Sequence, residues 1–173
     1  MWFSGRRRPV AGRGVRGQPA QGRADGGEDG RGGHPGRAHQ DRPVARQGLG
    51  ELGDTWAVVG LSSNQARAAY GVAGVLQRHG KRVVPVHPKA ETVLGEPGYA
   101  TLAEIPFPVD VVDVFVNSEL AGPVADQAVE IGAKAVWFQL GVVDPAAYER
   151  TRAAGLEMVM DRCPAIELPR LGR

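Results

Sequence analysis

The sequence from Thr55 onward predicts an α/β fold with three layers and a five-stranded parallel sheet. Short apolar runs rich in β-branched residues alternate there with segments of helical periodicity, and glycines and prolines separate the two kinds of segment. Strands that alternate with helices require right-handed crossovers, which cover both faces of a parallel sheet. A segment of about 120 residues buries roughly two thirds of its unfolded surface, which is sufficient for a core.

The elements follow one another in a regular order along this segment. The predicted strands are Thr55–Gly60, Arg82–Val86, Asp110–Val116, Lys134–Gln139 and Glu157–Met160. The predicted helices are Arg67–His79, a second that ends at Gly132, and a third that begins at Pro145 and ends at Gly155. We expect at most one helical turn at Leu102–Ile105 and a short tail after the last strand.

Three prolines and their neighbours locate particular elements. Asp144-Pro145 is typical of a helix start, with an N-cap followed by the first helical position. Pro123 is expected in the first turn of the second helix, because proline is not tolerated in a helix interior. Pro85 lacks a backbone N–H, so it favours an edge or terminal position in its strand.

The predicted sheet places the functional loops at one edge. We expect the Rossmann-like strand order 3-2-1-4-5, and ligands of such sheets bind beyond the carboxyl ends of the strands. The loops that follow the predicted strands are Gly60–Arg67, His87–Lys89, Val116–Glu119, Gln139–Val142 and Asp161–Cys163.

Residues 1–48 differ in composition from the rest of the chain. Gly, Arg, Pro and Ala account for 31 of them. Such a segment cannot bury enough surface to offset about 1–2 kcal/mol of backbone entropy per residue, so we expect it to be disordered. It is interpreted either as a genuine basic tail, with Arg6–Arg8 as its densest patch, or as the product of a wrong start or a frameshift in GC-rich DNA.

Charge and composition exclude several classes of function. Residues 1–53 carry a net charge of +5 and residues 54–173 carry −3, so the folded part is mildly acidic, which argues against a nucleic-acid binder. Cys163 is the single cysteine, which rules out an intramolecular disulfide framework and a multi-cysteine zinc site. The sequence has no apolar stretch near 18 residues and no secretory signal pattern, so we expect a cytoplasmic protein that does not enter a membrane.

The first loop has the composition of an anion site. A short polar loop between a strand and a helix directs backbone N–H groups and a helix N-terminus at one point, which suits a phosphate. Ser62 and Ser63 supply hydroxyl donors there and Arg67 supplies positive charge. The alternative is that Ser63 or Asn64 simply caps the helix.

Two features argue against an NAD site. The fingerprint G-x-G-x-x-G is missing, since Gly71 is the next glycine after Gly60. The second strand ends in His87-Pro88-Lys89 rather than in the acidic residue that would hold an NAD ribose. A basic residue at that point suits a phosphorylated ribose better.

The sequence contains no evident catalytic set and no metal-ligand pattern. His87 has no paired nucleophile that the sequence identifies, although it is a candidate base. Asp113 lies among apolar residues and is expected to make a structural hydrogen bond. Trp137 and Phe138 are expected in the core. Cys163 follows the fifth strand at the ligand edge, where it is either a small buried hydrophobe or a functional residue.

Five blocks of sequence together resemble one protein family. They are Ala57–Ser62 (AVVGLS), Val86–Lys89 (VHPK), Val112–Phe115 (VDVF), Val136–Val142 (VWFQLGV) and Val159–Cys163 (VMDRC). In this order they are similar to the small bacterial CoA-binding proteins, which are stand-alone Rossmann-like domains similar to the CoA-binding domain of the succinyl-CoA ligase α subunit. The resemblance extends from about Leu49 to Leu171, so residues 49–173 are identified as a CoA-binding domain.

The resemblance implies that CoA or an acyl-CoA binds across the strand ends. The residues that it assigns to the ligand, together with those of the loops above, are Gly60, Leu61, Ser62, Ser63, Arg67, His87, Pro88, Lys89, Val116, Gln139, Leu140, Gly141 and Cys163. The first loop would meet phosphates and Pro88-Lys89 the phosphorylated ribose. Val116 would face the adenine or pantetheine, and Gln139–Gly141 the thiol end.

The chain departs from the family pattern at two of these points. The family usually has Asn where His87 stands, and often Arg at the position of Val116-Asn117. The first departure changes the hydrogen bonds available in the second loop, and the second removes a phosphate partner.

The sequence therefore predicts a binding module for CoA or an acyl-CoA that has no catalysis of its own. One alternative is a nicotinamide- or CoA-dependent enzyme, which would require the missing glycines or further ligase domains. Another is nucleic-acid binding through the basic N-terminal arm, a function that the arm's lack of aromatic residues disfavours. The sequence identifies no protein partner.

Overall fold

The computed structural model describes residues 49–171 and has the predicted Rossmann-like α/β fold. The predicted disordered segment, residues 1–48, lies outside the described residues. The strands are β1 (Thr55–Val59), β2 (Arg82–Val86), β3 (Val111–Val114), β4 (Ala135–Phe138) and β5 (Glu157–Val159). The helices are α1 (Ala68–Arg78), α2 (Ser118–Glu130), α3 (Pro145–Ala153) and α4 (Pro164–Leu171), and short 3-10 turns occur at Leu49–Leu52 and Leu102–Glu104.

The five strands are parallel, but their order differs from the predicted one. The order is β2-β1-β3-β4-β5, so β3 lies between β1 and β4, and the expected order 3-2-1-4-5 was wrong. The edge position of β2 agrees with the prediction made from Pro85. The carbonyl of Pro85 accepts from Tyr99 N at 2.9 Å on the outer side of β2, so its nitrogen, which lacks a hydrogen, also points outward. A further regular strand could not pair there.

Asp110 fixes β3 beside β1 instead. Its Oδ2 accepts hydrogen bonds from the backbone N–H groups of Asp54 and Thr55 at 2.9 and 3.0 Å. Its Oδ1 lies 2.9 Å from Lys134 Nζ, just before β4. One carboxylate at the start of the central strand therefore links three neighbouring strands.

The sheet separates two apolar clusters. On one face Ala57, Val112 and Val136 pack with α2 and α3. On the other face Trp56 and Trp137 pack with α1 and α4, and their ring centroids are 6.0 Å apart. Helices cover both faces, which is the predicted three-layer arrangement.

Two helical details differ from the predictions. Pro123 lies in the second turn of α2 rather than in the first, because the Asn117 side chain accepts from Leu120 N at 3.1 Å and so fixes the helix start at Ser118. The predicted tail after β5 is the helix α4, which begins at Pro164. The third helix is confirmed, with Asp144 as its N-cap and Gly155 at φ +92° just after it.

In the described part of the chain, the helices are too short or too polar to cross a bilayer.

Candidate functional site

The carboxyl ends of all five strands meet at one edge of the sheet, and the predicted ligand residues lie in the loops that leave this edge. Hydrogen bonds join the loops within each of two groups. One group follows β1 and β2, and the other follows β4 and β5. The order of the strands places the end of β3 between these two groups.

Gly60 brings the first loop close to β3. It has φ +98°, and a Cβ atom at this position would lie 3.3 Å from the Cβ of Phe115. Its N–H donates to Val86 O at 2.8 Å, which extends the β1–β2 pairing into the loop. Leu61 differs from its prediction in detail, because its side chain is buried in the core and only its backbone remains for a ligand.

The turn before α1 is stabilised by its own polar side chains. Ser62 Oγ accepts from Asn64 N at 3.3 Å, and Asn64 Oδ1 accepts from Ala66 N at 3.0 Å. The N-cap of α1 is Arg67, which makes no side-chain cap hydrogen bond. Neither Ser63 nor Asn64 is therefore the helix cap. The exposed Arg67 side chain lies where the backbone N–H groups of α1 begin.

Glu91 uses the Ser63 donors that the sequence predicted for a phosphate. Its Oε2 accepts from the Ser63 hydroxyl at 2.9 Å and from the Ser63 N–H at 3.3 Å. These hydrogen bonds, the hydroxyl first, lower the pKa of Glu91 below its ordinary value, and Lys89 and His87 act in the same direction. Glu91 was not among the predicted residues, and it joins the β2 loop to the β1 loop.

The loop after β2 is a tight turn around His87. Its Nδ1 accepts from Lys89 N at 3.2 Å, and its carbonyl accepts from Ala90 N at 2.8 Å. His87 therefore organises the turn, and the acceptor nitrogen that a general base would use is engaged there. Pro88 and Lys89 are exposed at its tip, with the Lys89 amine on a flexible stem.

The residues of the loop after β3 make their contacts within the protein. Val116 is half-buried and packs against the apolar cluster under α2. Asn117 is committed to capping α2. The next residue, Ser118, contacts the β4 loop: its hydroxyl donates to Gly141 O at 3.3 Å and accepts from Val143 N at 2.9 Å.

Gln139 is turned inward rather than toward the edge. It is 5% exposed, and its Nε2 donates to Asp113 Oδ1 at 2.5 Å across β3 and β4. The prediction that Asp113 makes a structural hydrogen bond is confirmed. Burial raises the pKa of Asp113 to about 8, and the hydrogen bond from Gln139 opposes that shift. Asp113 Oδ2 is enclosed and has no hydrogen-bond partner.

Asp161 holds the loops after β4 and β5 together. Its Oδ1 accepts from Gly141 N at 2.8 Å, and it adopts φ +60°, a conformation that is unusual for a residue other than glycine. Such strain concentrates at functional sites. The next residue, Arg162, accepts at its carbonyl from Trp137 Nε1 at 2.7 Å, which anchors the β5 loop to the core.

A groove of about 550 Å³ lies outside β4 and β5. Its apolar lining consists of Leu140, Val143, Pro145, Tyr148, Met160 and Ile166, and its other lining residues are Asp161, Arg162, Cys163 and Glu167. Leu140 and Cys163 are the members of the predicted ligand set that line it. Cys163 is half-buried and also packs against the apolar cluster under α1.

Sequence reasoning missed Glu91 and Asp161 as contributors to the geometry of this edge. Glu91 makes its contact 28 residues away from Ser63 in the sequence, and no local pattern signals such a pairing. The sequence did contain a signal for Asp161, because this residue lies directly after a predicted strand and within one of the five blocks that carry the family resemblance.

Comparison with known proteins gives this edge a family context. Residues 54–169 match the CoA binding domain family. The protein YneT of Bacillus subtilis (strain 168) is 36% identical over 107 residues, which cover 62% of this chain and 79% of YneT. A solved structure of a protein from Pyrococcus horikoshii OT3 is 36% identical, with a TM-score of 0.69 and coverage of 76% of this chain and 97% of that one.

A second solved structure, from Thermus thermophilus, is 32% identical with a TM-score of 0.66, and the alignment covers 70% of this chain and 92% of that one. The structural likenesses extend over nearly the full length of both solved chains. With the family match spanning β1 to α4, the conclusion is that this chain belongs to the CoA binding domain family.

Proposed function

We propose that residues 49–173 form a domain that binds CoA or an acyl-CoA along the carboxyl edge of its sheet, as a binding module without catalysis of its own. The observation that carries this proposal is the family match over residues 54–169, which includes the loops after all five strands. The geometry of those loops fits the parts of such a ligand.

The β1 and β2 loops fit the phosphates. At Gly60 the backbone approaches the end of β3 so closely that a side chain would contact Phe115, so the first loop lies next to the end of the central strand. Arg67 and Lys89 are exposed, one on each loop. Two flexible cations on neighbouring loops suit a ligand with several phosphate groups.

The β4 and β5 loops fit the thiol end. Asp161 fixes the Gly141 backbone, and Leu140 and Cys163 face the groove outside β5. This region offers apolar surface, and it has little of the positive charge that a phosphate would require. The edge is therefore charged near β1 and β2 and more apolar near β5. CoA changes in the same direction, from its charged nucleotide to its less polar thiol end.

The proposal of a module without catalysis rests on how the candidate catalytic groups are used. His87 Nδ1 accepts a backbone hydrogen bond within its own turn. Asp113 is fully buried against Gln139, beneath the loops rather than in them. Neither group is arranged as a base beside a nucleophile.

CoA is expected to raise the melting temperature of the protein, and NAD is not. At one hundred times its dissociation constant a ligand adds about 2.7 kcal/mol to stability. The loops after β1 and β2 lack the glycine fingerprint and the acidic ribose partner that an NAD site usually has. Thermal unfolding of the full chain with CoA, acetyl-CoA, NAD, NADP and an oligonucleotide separates the candidate functions. A larger shift with NAD than with CoA would overturn the proposed function.

Replacing Glu91 with Gln is expected to tighten CoA binding several-fold. Gln retains an acceptor for Ser63 and so preserves the loop, whereas the negative charge that repels phosphates is removed. The measurement is titration calorimetry at low and at high salt, because screening weakens the effect.

The matched variant is Lys89→Gln, which removes a positive charge from the same turn and should weaken CoA binding. Adenosine, which has no phosphate, should bind both variants as it binds the wild type. Unchanged CoA affinity in Glu91→Gln would mean that the phosphates lie away from Ser63.

A further inference from the structure

Three of the four exposed large apolar side chains of the described residues line one groove. The four are Leu120, Leu140, Val143 and Ile166, with exposed fractions of 56%, 59%, 43% and 45%. Leu140, Val143 and Ile166 line the groove outside β4 and β5. Leu120 lies in the first turn of α2, and Ser118 in that turn is hydrogen-bonded to Gly141 and Val143 of the β4 loop. Apolar side chains around a concave site are typical of a small-molecule pocket.

We infer that this groove receives the acyl chain of a CoA thioester. The inference rests on the proposed function and specifies the ligand further. Leu140 is one of the residues assigned to the CoA thiol end and Cys163 is one of those assigned to the ligand, and both line the groove. A chain attached to that thiol therefore enters the groove without crossing another element of the fold.

The shape and charge of the groove suit a neutral chain. Its volume of about 550 Å³ lies within the range of small-molecule pockets, roughly 300–1,000 Å³. The charged groups at its rim have partners: Arg162 lies 3.6 Å from Glu167, and Asp161 accepts the Gly141 N–H. Methylene groups can replace water between the apolar side chains of the groove while the exposed Asp161 carboxylate stays in solvent.

A protein partner fits this surface less well. A standard interface buries about 800 Å² on each partner, and the apolar side chains here are few, each only about half exposed. Their arrangement around a groove, rather than across a flat face, favours a narrow occupant.

The test is a series of straight-chain ligands measured with the full chain by titration calorimetry: CoA, acetyl-CoA, butanoyl-CoA, hexanoyl-CoA and octanoyl-CoA. Each methylene that becomes fully buried is expected to lower the dissociation constant by up to about fourfold. Octanoyl-CoA should also protect Cys163 from alkylation by iodoacetamide more than acetyl-CoA does, because the Cys163 thiol lies in the groove lining and neither thioester has a free thiol that consumes the reagent.

The matched variant is the double substitution Val143→Thr and Ile166→Gln. Both positions are exposed and outside the residues assigned to CoA, so CoA should bind within twofold of wild type while the dependence on chain length is lost. Equal affinity for every chain length in the wild type overturns the inference and leaves CoA binding intact.

Two further results have separate meanings. Failure of CoA itself to bind overturns the proposed function, and the inference with it. A dimer that sedimentation velocity detects in the wild type and not in the double variant assigns the groove to a second copy of the chain, which also overturns the inference.

Discussion

Replacing Asp113 with Asn is expected to remove a pH dependence from the stability of the protein. Burial raises the pKa of Asp113 to about 8 in the folded chain, against an ordinary value of 3.8. Between these values the unfolded chain binds fewer protons than the folded one. The free energy of unfolding of the wild type therefore falls as pH rises through this window, by up to about 1.4 kcal/mol per pH unit from this group.

The measurement is urea denaturation of wild type and variant at intervals from pH 4 to pH 9. The difference in unfolding free energy, variant minus wild type, should rise through the window and level off above about pH 8, with a total change on the order of several kcal/mol. Asp113→Leu provides a second variant of similar size without a polar group. Parallel curves for wild type and both variants would contradict the assignment.

Asp110→Asn is the matched control with the opposite sign. Partial burial acts to raise the pKa of Asp110, but hydrogen bonds from Lys134 and from the backbone of Thr55 and Asp54 outweigh it and lower the pKa. The stabilisation by Asp110 is present above its unfolded pKa and is lost as pH falls through the folded pKa. The two carboxylates are three positions apart on either side of the start of β3, and they should respond to pH in opposite directions.

Gly53→Ala is expected to be among the most destabilising single substitutions in the domain. Gly53 has φ +109°, and an added Cβ would overlap the Cβ and Cγ of Asp110. The unfavourable backbone conformation alone costs about 1–3 kcal/mol. Displacement of Asp110 would also weaken its hydrogen bonds to Asp54 and Thr55, so the total loss should reach about 3 kcal/mol or more.

Gly155→Ala separates the two contributions. Gly155 has a similar φ of +92° and no atom within 4 Å of an added Cβ. The Gly155→Ala variant should therefore lose only the stability that the unfavourable backbone conformation costs. Unfolding free energies from urea denaturation decide the comparison. Equal losses at the two positions would show that the contact with Asp110 adds nothing.

The existence of the strands was predictable because each has a local signal. The β-branched runs predicted all five strands, and Asp144-Pro145 predicted the start of α3. The helix α4 was missed because Pro169 interrupts its helical pattern. The strand order was also missed, since pairing is set by contacts between distant segments. Pro85 was a clue to it, because an edge position for β2 is incompatible with the order 3-2-1-4-5.

The site was predictable as a set of loops but not as a set of contacts. Parallel strands bring their carboxyl ends to one edge whatever their order, so the loops could be named in advance. The use of each side chain depends on partners that are distant in sequence. Gln139 donates to Asp113, 26 residues away, instead of facing outward, and Ser63 already has a carboxylate partner in Glu91.

The position of α4 has a consequence for how the chain folds during synthesis. This helix is the last described element, yet it packs against α1 and the turn Leu49–Leu52, the first described element, with Leu168 buried among them. Synthesis releases the chain from its N-terminus, so α3 emerges before α4. The face covered by α2 and α3 can therefore be completed first, whereas the tryptophan-rich face stays incomplete until α4 has emerged as well. A chaperone that binds the nascent chain would find its apolar target on that face.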